Sequence, residues 1–165
     1  QVATNTVTSA VASVTLTGID SDDVYMVALN NVTLNTSGSG FYVRVTTSGT
    51  ADSDSEYDIA YKVLRADNSF ANTSNTNGNL WDLTTQYVAT GVSNNGILYL
   101  YNFNNSSEYS FITNETAFFW SGSNNLNGNQ GGGVHTVAET NDGIHFVSDS
   151  GRTFESGTFT LYKVI

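Results

Sequence analysis

The stretch "SGTFTLYKVI", Ser156–Ile165, decides the fold. Phe159, Leu161 and Ile165 share one parity, and Thr158, Thr160, Tyr162 and Val164 share the other. Side chains of an extended chain point alternately to the two faces of a sheet, so this spacing is that of a strand. Chain ends ordinarily fray into polar tails. Here apolar and β-branched residues run to the last position, which predicts a terminal strand that is paired and partly buried.

The same period recurs upstream. "SVTLTGI" alternates around Val14 and Leu16. "FYVRVTT" sets Phe41, Val43 and Val45 against Tyr42, Arg44 and Thr46, and "YDIAYKVLR" sets Tyr57, Ile59, Tyr61 and Val63 against Asp58, Ala60, Lys62 and Leu64. "VYMVALNNVTL", Val24–Leu34, opens on an unbroken apolar run, the pattern of a strand covered on both faces. "LWDLTTQYVA", "GILYLYNF", "YSFI", "TAFFW", "GVHTVAE" and "GIHFVS" complete roughly nine to eleven strands at the spacing of a sandwich or barrel. Asn95-Gly96 and Asp142-Gly143 read as tight hairpin turns. "NTSNTNGN" (Asn72–Asn79) and "SGSNNLNGNQGGG" (Ser121–Gly133) read as longer polar loops. No stretch has a capped helical period. The expected fold is a single all-β domain, an antiparallel β-sandwich over residues 11–165, preceded by a connecting arm at residues 1–10.

Composition limits what such a domain does. Charged residues are 12% of the 165, hydrophobic residues 39%, and the formal net charge is −10. Arg44, Lys62, Arg65, Arg152 and Lys163 are the basic residues, too few and too scattered for a nucleic-acid surface or an anionic membrane. No apolar run approaches the length of a membrane span. Cysteine is absent, which removes disulfides, thiolate metal sites and cysteine nucleophiles together. A first residue of Gln rather than Met points to a processed product or an excised domain.

No G-x-S-x-G, H-E-x-x-H or GK[ST] motif is present, and "GNQGGG" precedes a strand rather than a helix. Glu108, Glu115 and Glu139 are scattered acids of the sort any all-β chain offers, so a non-enzyme is expected. If Asp142-Gly143 turns a hairpin, His135 and His145 lie on opposite faces or about 13 Å apart along one. They then share no metal without other ligands. "DSDD" (Asp20–Asp23) and "DSDSEYD" (Asp52–Asp58) space carboxylates as calcium loops do, and Asp52, Asp54 and Glu56 are the candidate calcium ligands, although the glycine and terminal Glu of an EF-hand are missing. The alternative is a pair of solvated turns that guard sheet edges. Trp81, Trp120, Tyr99, Tyr101 and Phe103 are the candidate ligand-binding aromatics, able to stack on sugars or to line a subunit interface. Filling the second side of a covered strand is their plainer use.

Two segments carry a family resemblance. "ASVTLTGIDSDDVYMVAL" (Ala12–Leu29) resembles the first two strands of small β-sandwich domains in tailed-phage virion proteins, and "IHFVSDSGRTFESGTFTLYKVI" (Ile144–Ile165) resembles their ending. "GGGVHT" is similar to their penultimate loop, while Lys163 stands where the family more often has Gly. The resemblance implies a jelly-roll-like domain on the virion exterior, as a capsid decoration, head fibre or tail-fibre module. It also implies a homotrimer whose further partners are other virion proteins, such as the major capsid protein or a fibre shaft. A module that binds a receptor or host-surface glycan is the alternative expectation. No catalytic residue carries over, and no cofactor beyond calcium is expected.

Overall fold

The alternation read from the sequence becomes two facing sheets in the computed structural model, which describes every residue except Ser39, Thr85, Ser150 and Ile165. The strands are β1 (Ala3–Val7), β2 (Ser13–Thr17), β3 (Val24–Leu34), β4 (Phe41–Thr47), β5 (Thr50–Ala51), β6 (Tyr57–Arg65) and β7 (Phe70–Gly78). They continue with β8 (Trp81–Asp82), β9 (Asn94–Tyr101), β10 (Asn104–Trp120), β11 (Asn125–Thr140), β12 (Gly143–Ser148) and β13 (Phe154–Val164). The larger sheet runs β1-β13-β3-β9-β10-β11-β6-β7, and the smaller runs β2-β12-β4-β5 with β8 also paired to β4. Every ladder is antiparallel. The protein is an all-β, two-sheet sandwich in one domain. Among the described residues no helix is long and apolar enough to cross a membrane.

The terminal stretch is a strand, and not an edge strand: β13 lies between β1 and β3, with Phe159 opposite Leu29 and Leu161 opposite both Val27 and Ala3. Phe159 and Leu161 are buried as their parity requires; Ile165 lies outside the described residues. The segment read as an arm contains β1, whose residues pair with β13 from Ala3↔Leu161 to Val7↔Gly157.

Between the sheets the inward parities meet. Val14, Leu16, Val43, Val45, Ile144 and Phe146 of the smaller sheet join the buried residues of the larger one in one core. Phe146 and Phe159 pack with ring centroids 5.1 Å apart, an aromatic contact that ties one sheet to the other. The smaller sheet leaves part of the larger uncovered, and the segment from β8 to β9 closes it with Trp81, Leu83 and Val88, all fully buried. A polar device pins that segment: Asn114, Thr116 and Asn129 each donate a side-chain hydrogen bond to the Leu83 carbonyl, at 3.0, 3.1 and 3.0 Å. Sheet residues thereby satisfy a loop carbonyl that burial would otherwise strand.

Several expected turns are not where the residue types suggested. Asn95-Gly96 is inside β9, with Gly96 opposite both Leu29 and Thr116. Asp142-Gly143 does not close a hairpin, because β11 and β12 belong to different sheets; it carries the chain across the sandwich. Asp142 is held there by its own carboxylate, which accepts from the Thr46 hydroxyl at 2.7 Å and the Gly49 N–H at 2.9 Å. "YSFI" and "TAFFW" fuse into the single long β10, whereas "LWDLTTQYVA" is regular only over β8. The polar stretches at 72–79 and 121–133 are largely strand, forming much of β7 and the first half of β11. Glycine serves close approach there: a Cβ on Gly133 would stand 2.6 Å from the Trp81 ring, which lies across the strand.

Candidate functional site

The inward face of β11 places His135 opposite Tyr57 of β6 and Ser110 of β10, so its imidazole enters the interior and is completely buried. Its ring centroid is 4.9 Å from that of Tyr57, which meets Trp81 edge-on at 5.1 Å. Tyr57 also fixes the chain beyond β5. Its hydroxyl donates to the Asp52 carbonyl at 3.0 Å and accepts from the Val45 N–H at 3.2 Å. Thr136 fixes the far end of that loop, its N–H and hydroxyl both donating to the Glu56 carbonyl.

Held in this way, the loop turns two carboxylates onto the histidine. Asp52 Oδ2 lies 2.9 Å and Glu56 Oε2 3.4 Å from His135 Nε2, while Glu139 Oε1 faces Nδ1 at 3.9 Å. Asp54 contributes its backbone N–H to Asp52 at 2.8 Å and lines the opening with its side chain. That opening is a cleft of about 390 Å³ bordered by Thr47, Thr50, Asp52, Asp54, Glu56 and Glu139. The two carboxylates at Nε2 differ. Burial pushes the Asp52 carboxyl upward, but the Asp54 N–H and His135 outweigh it, and its pKa ends below the ordinary value. Burial and the adjacent Asp52 charge hold the Glu56 carboxyl above its ordinary value.

Of the three residues read as calcium ligands, then, Asp52 and Glu56 converge on an imidazole nitrogen, and Asp54 stands at the rim. Sequence reasoning missed His135 as their partner because it placed β11 and β12 in one hairpin. The chain instead changes sheets at Asp142, so the two histidines belong to different layers. His145 bonds Thr15 Oγ1 at 2.7 Å, and burial together with the Arg44 charge lowers its pKa. The other acidic loop is spoken for: Lys163 Nζ reaches Asp23 at 2.8 Å and donates to Ser21 at 2.8 Å.

The five candidate aromatics do not share one platform. Trp81 is fully buried and donates its indole N–H to the Val134 carbonyl at 3.2 Å. Leu98 and Leu100 do face the core, which turns Tyr99 and Tyr101 outward, but Asn102 adopts a positive φ of 59° and sends Phe103 back inside. Trp120 is half-buried beneath the Arg65 guanidinium, 5.1 Å from its ring. Neither Trp81 nor Phe103 offers a face to a ligand.

What gathers Tyr99 with other apolar groups is the outer face of the larger sheet. Ile97 and Tyr99 of β9, Phe111 of β10, and Leu64 and Phe70 of β6 and β7 are all exposed there. Between Ile97 and Leu64 a groove of about 570 Å³ opens over Ala28, Ala117 and Gly128, where small residues leave the backbone uncovered. The sequence signal was available: β6, β9 and β10 carry apolar residues on both parities, which a sandwich with one solvated face does not need.

No protein-family model matches the chain, and no curated protein matches it. Among solved structures, the chain is similar to one titled "Structure of the CBM2 module of Lactobacillus casei BL23 phage J-1 evolved Dit". The likeness covers 93% of this chain and 69% of that one, at 11% identity and a TM-score of 0.24, a value that carries no argument about fold or function.

Proposed function

We propose that this chain is a non-enzymatic structural component of a phage virion exterior, a capsid decoration or fibre module. In this reading it assembles as a homotrimer through the outer face of its larger sheet. The observation that carries it is that face. An antiparallel sandwich solvates its outer faces with polar side chains, yet Ile97, Tyr99, Phe111, Leu64 and Phe70 stand in the open. Contiguous exposed apolar surface on a soluble protein marks an interaction site. The terminal-segment resemblance supplies the setting, and the scarcity of basic residues agrees with a partner that is not nucleic acid.

Light scattering on the purified chain tests the assembly. A trimer that Ile97→Lys and Leu64→Lys together reduce to a folded monomer supports the reading. A monomeric wild type removes the face as a self-association surface. Retention of a host-surface glycan by that monomer, lost in Tyr99→Ala, would favour the receptor-binding alternative. Labelling of tailed particles by an antibody raised against the chain tests the virion setting separately.

A further inference from the structure

Asp52, His135 and Glu139 hold more than a salt bridge requires. One ligand atom from each falls within 4.8 Å of those of the other two. The His135 side chain is wholly buried, and its Nδ1 has no hydrogen-bond partner among the described residues. That nitrogen faces Glu139 Oε1 across 3.9 Å, too far for a hydrogen bond. Two metal–ligand bonds of about 2.0–2.2 Å each bridge such a gap at an open angle. Asp52, 2.9 Å from Nε2, sets the ring: with Nε2–H donating to that carboxylate, the neutral imidazole turns its Nδ1 lone pair toward Glu139.

We propose that His135 Nδ1 and Glu139 bind a single divalent first-row transition ion, of the zinc class, in the cleft between the β5–β6 loop and β11, with Asp52 holding the ring through Nε2. The donor set decides the class. Calcium and magnesium take oxygen ligands, whereas one imidazole with a carboxylate suits zinc, manganese, cobalt or nickel. Glu56, 3.4 Å from Nε2, adds a second carboxylate on the ring edge that Asp52 holds. The ion's ligands, His135 and Glu139, come from one strand, and the loop that carries Asp52 holds the imidazole. The site is independent of the apolar outer face, and neither reading needs the other.

Calorimetric titration of the chelator-stripped chain with zinc chloride tests the site, with cobalt(II) absorption as a second readout. Wild type is expected to take up one zinc per chain. Glu139→Gln, at a partly exposed position that leaves the fold intact, should weaken binding by about tenfold or more. His145→Gln should leave it unchanged. Cobalt should show visible bands that His135→Gln abolishes, with far-UV circular dichroism confirming that this variant folds; if it does not fold, Glu139→Gln alone decides. The proposal is overturned by absence of zinc uptake up to about 1 mM, by equal affinities in wild type and Glu139→Gln, or by calcium competing with zinc on equal terms.

Discussion

The two acidic loops use the same residues toward different ends. Asp20–Asp23 joins β2 to β3 and meets Lys163, an exposed amine on a flexible stem. Asp52–Glu56 joins β5 to β6 and meets His135, an imidazole with no exposed surface. An exposed ion pair exchanges its partners with water and salt, and contributes little to stability. A buried ring cannot make that exchange, so each of its nitrogens depends on what the protein places beside it. Sequence composition alone does not separate the loops; the burial of the partner does.

The largest break in this comparison comes from the histidine. His135→Ala removes a ring packed on Tyr57 and leaves Asp52 and Glu56 facing each other, and should cost about 3 kcal/mol in urea unfolding. Asp52→Ala leaves the buried ring without its 2.9 Å partner and should cost about 2 kcal/mol. Acid titration separates the loops next. Asp20, Asp23 and Asp52 have lowered pKa values, so each contributes stability that is full above its unfolded value and is lost as pH falls through the folded one. Glu56 is raised, and its contribution has the opposite sign: present below the unfolded value and lost as pH rises through the folded one. Glu56→Gln should therefore steepen the acid-side fall in urea midpoints between about pH 6 and 3. At the small end, Lys163→Ala should leave the midpoint unmoved in physiological salt, although the raised Lys163 pKa shows that Asp23 holds its proton. A large loss there would erase the distinction between the loops.

Alternation was the legible part. The bounds of β3, β4, β6 and β12 follow residue by residue from "VYMVALNNVTL", "FYVRVTT", "YDIAYKVLR" and "GIHFVS", because burial on one face imposes period two. Strands rich in Asn and Gly were illegible. The Gly131–Gly133 run looks like a loop until Trp81 is seen lying against Gly133, a contact 52 residues away in the chain. Asn-Gly and Asp-Gly pairs misled for a related reason: positive φ falls instead at Asn68, Asn102 and Asn124, and at Ser48 with Gly49. The candidate site was half legible. Its acids stand out in "DSDSE", but His135 and Glu139 join them only through the register of β11 on β6. Asn114, Thr116 and Asn129 alternate like surface residues and are buried by a loop whose carbonyl they bind.

The place of β13 has a consequence for the order of assembly. It is inserted between β1 and β3, with Val2 and Val7 aligned on Leu161 and Gly157, far later in the sequence. During synthesis β1 has no partner and β3 keeps a bare edge until residues 154–164 have left the ribosome. Contacts of such separation are slow to form, and an unfilled slot between two strands invites a foreign strand. The larger sheet therefore closes only once β13 has been made, and until then crowding with its own nascent copies is most hazardous.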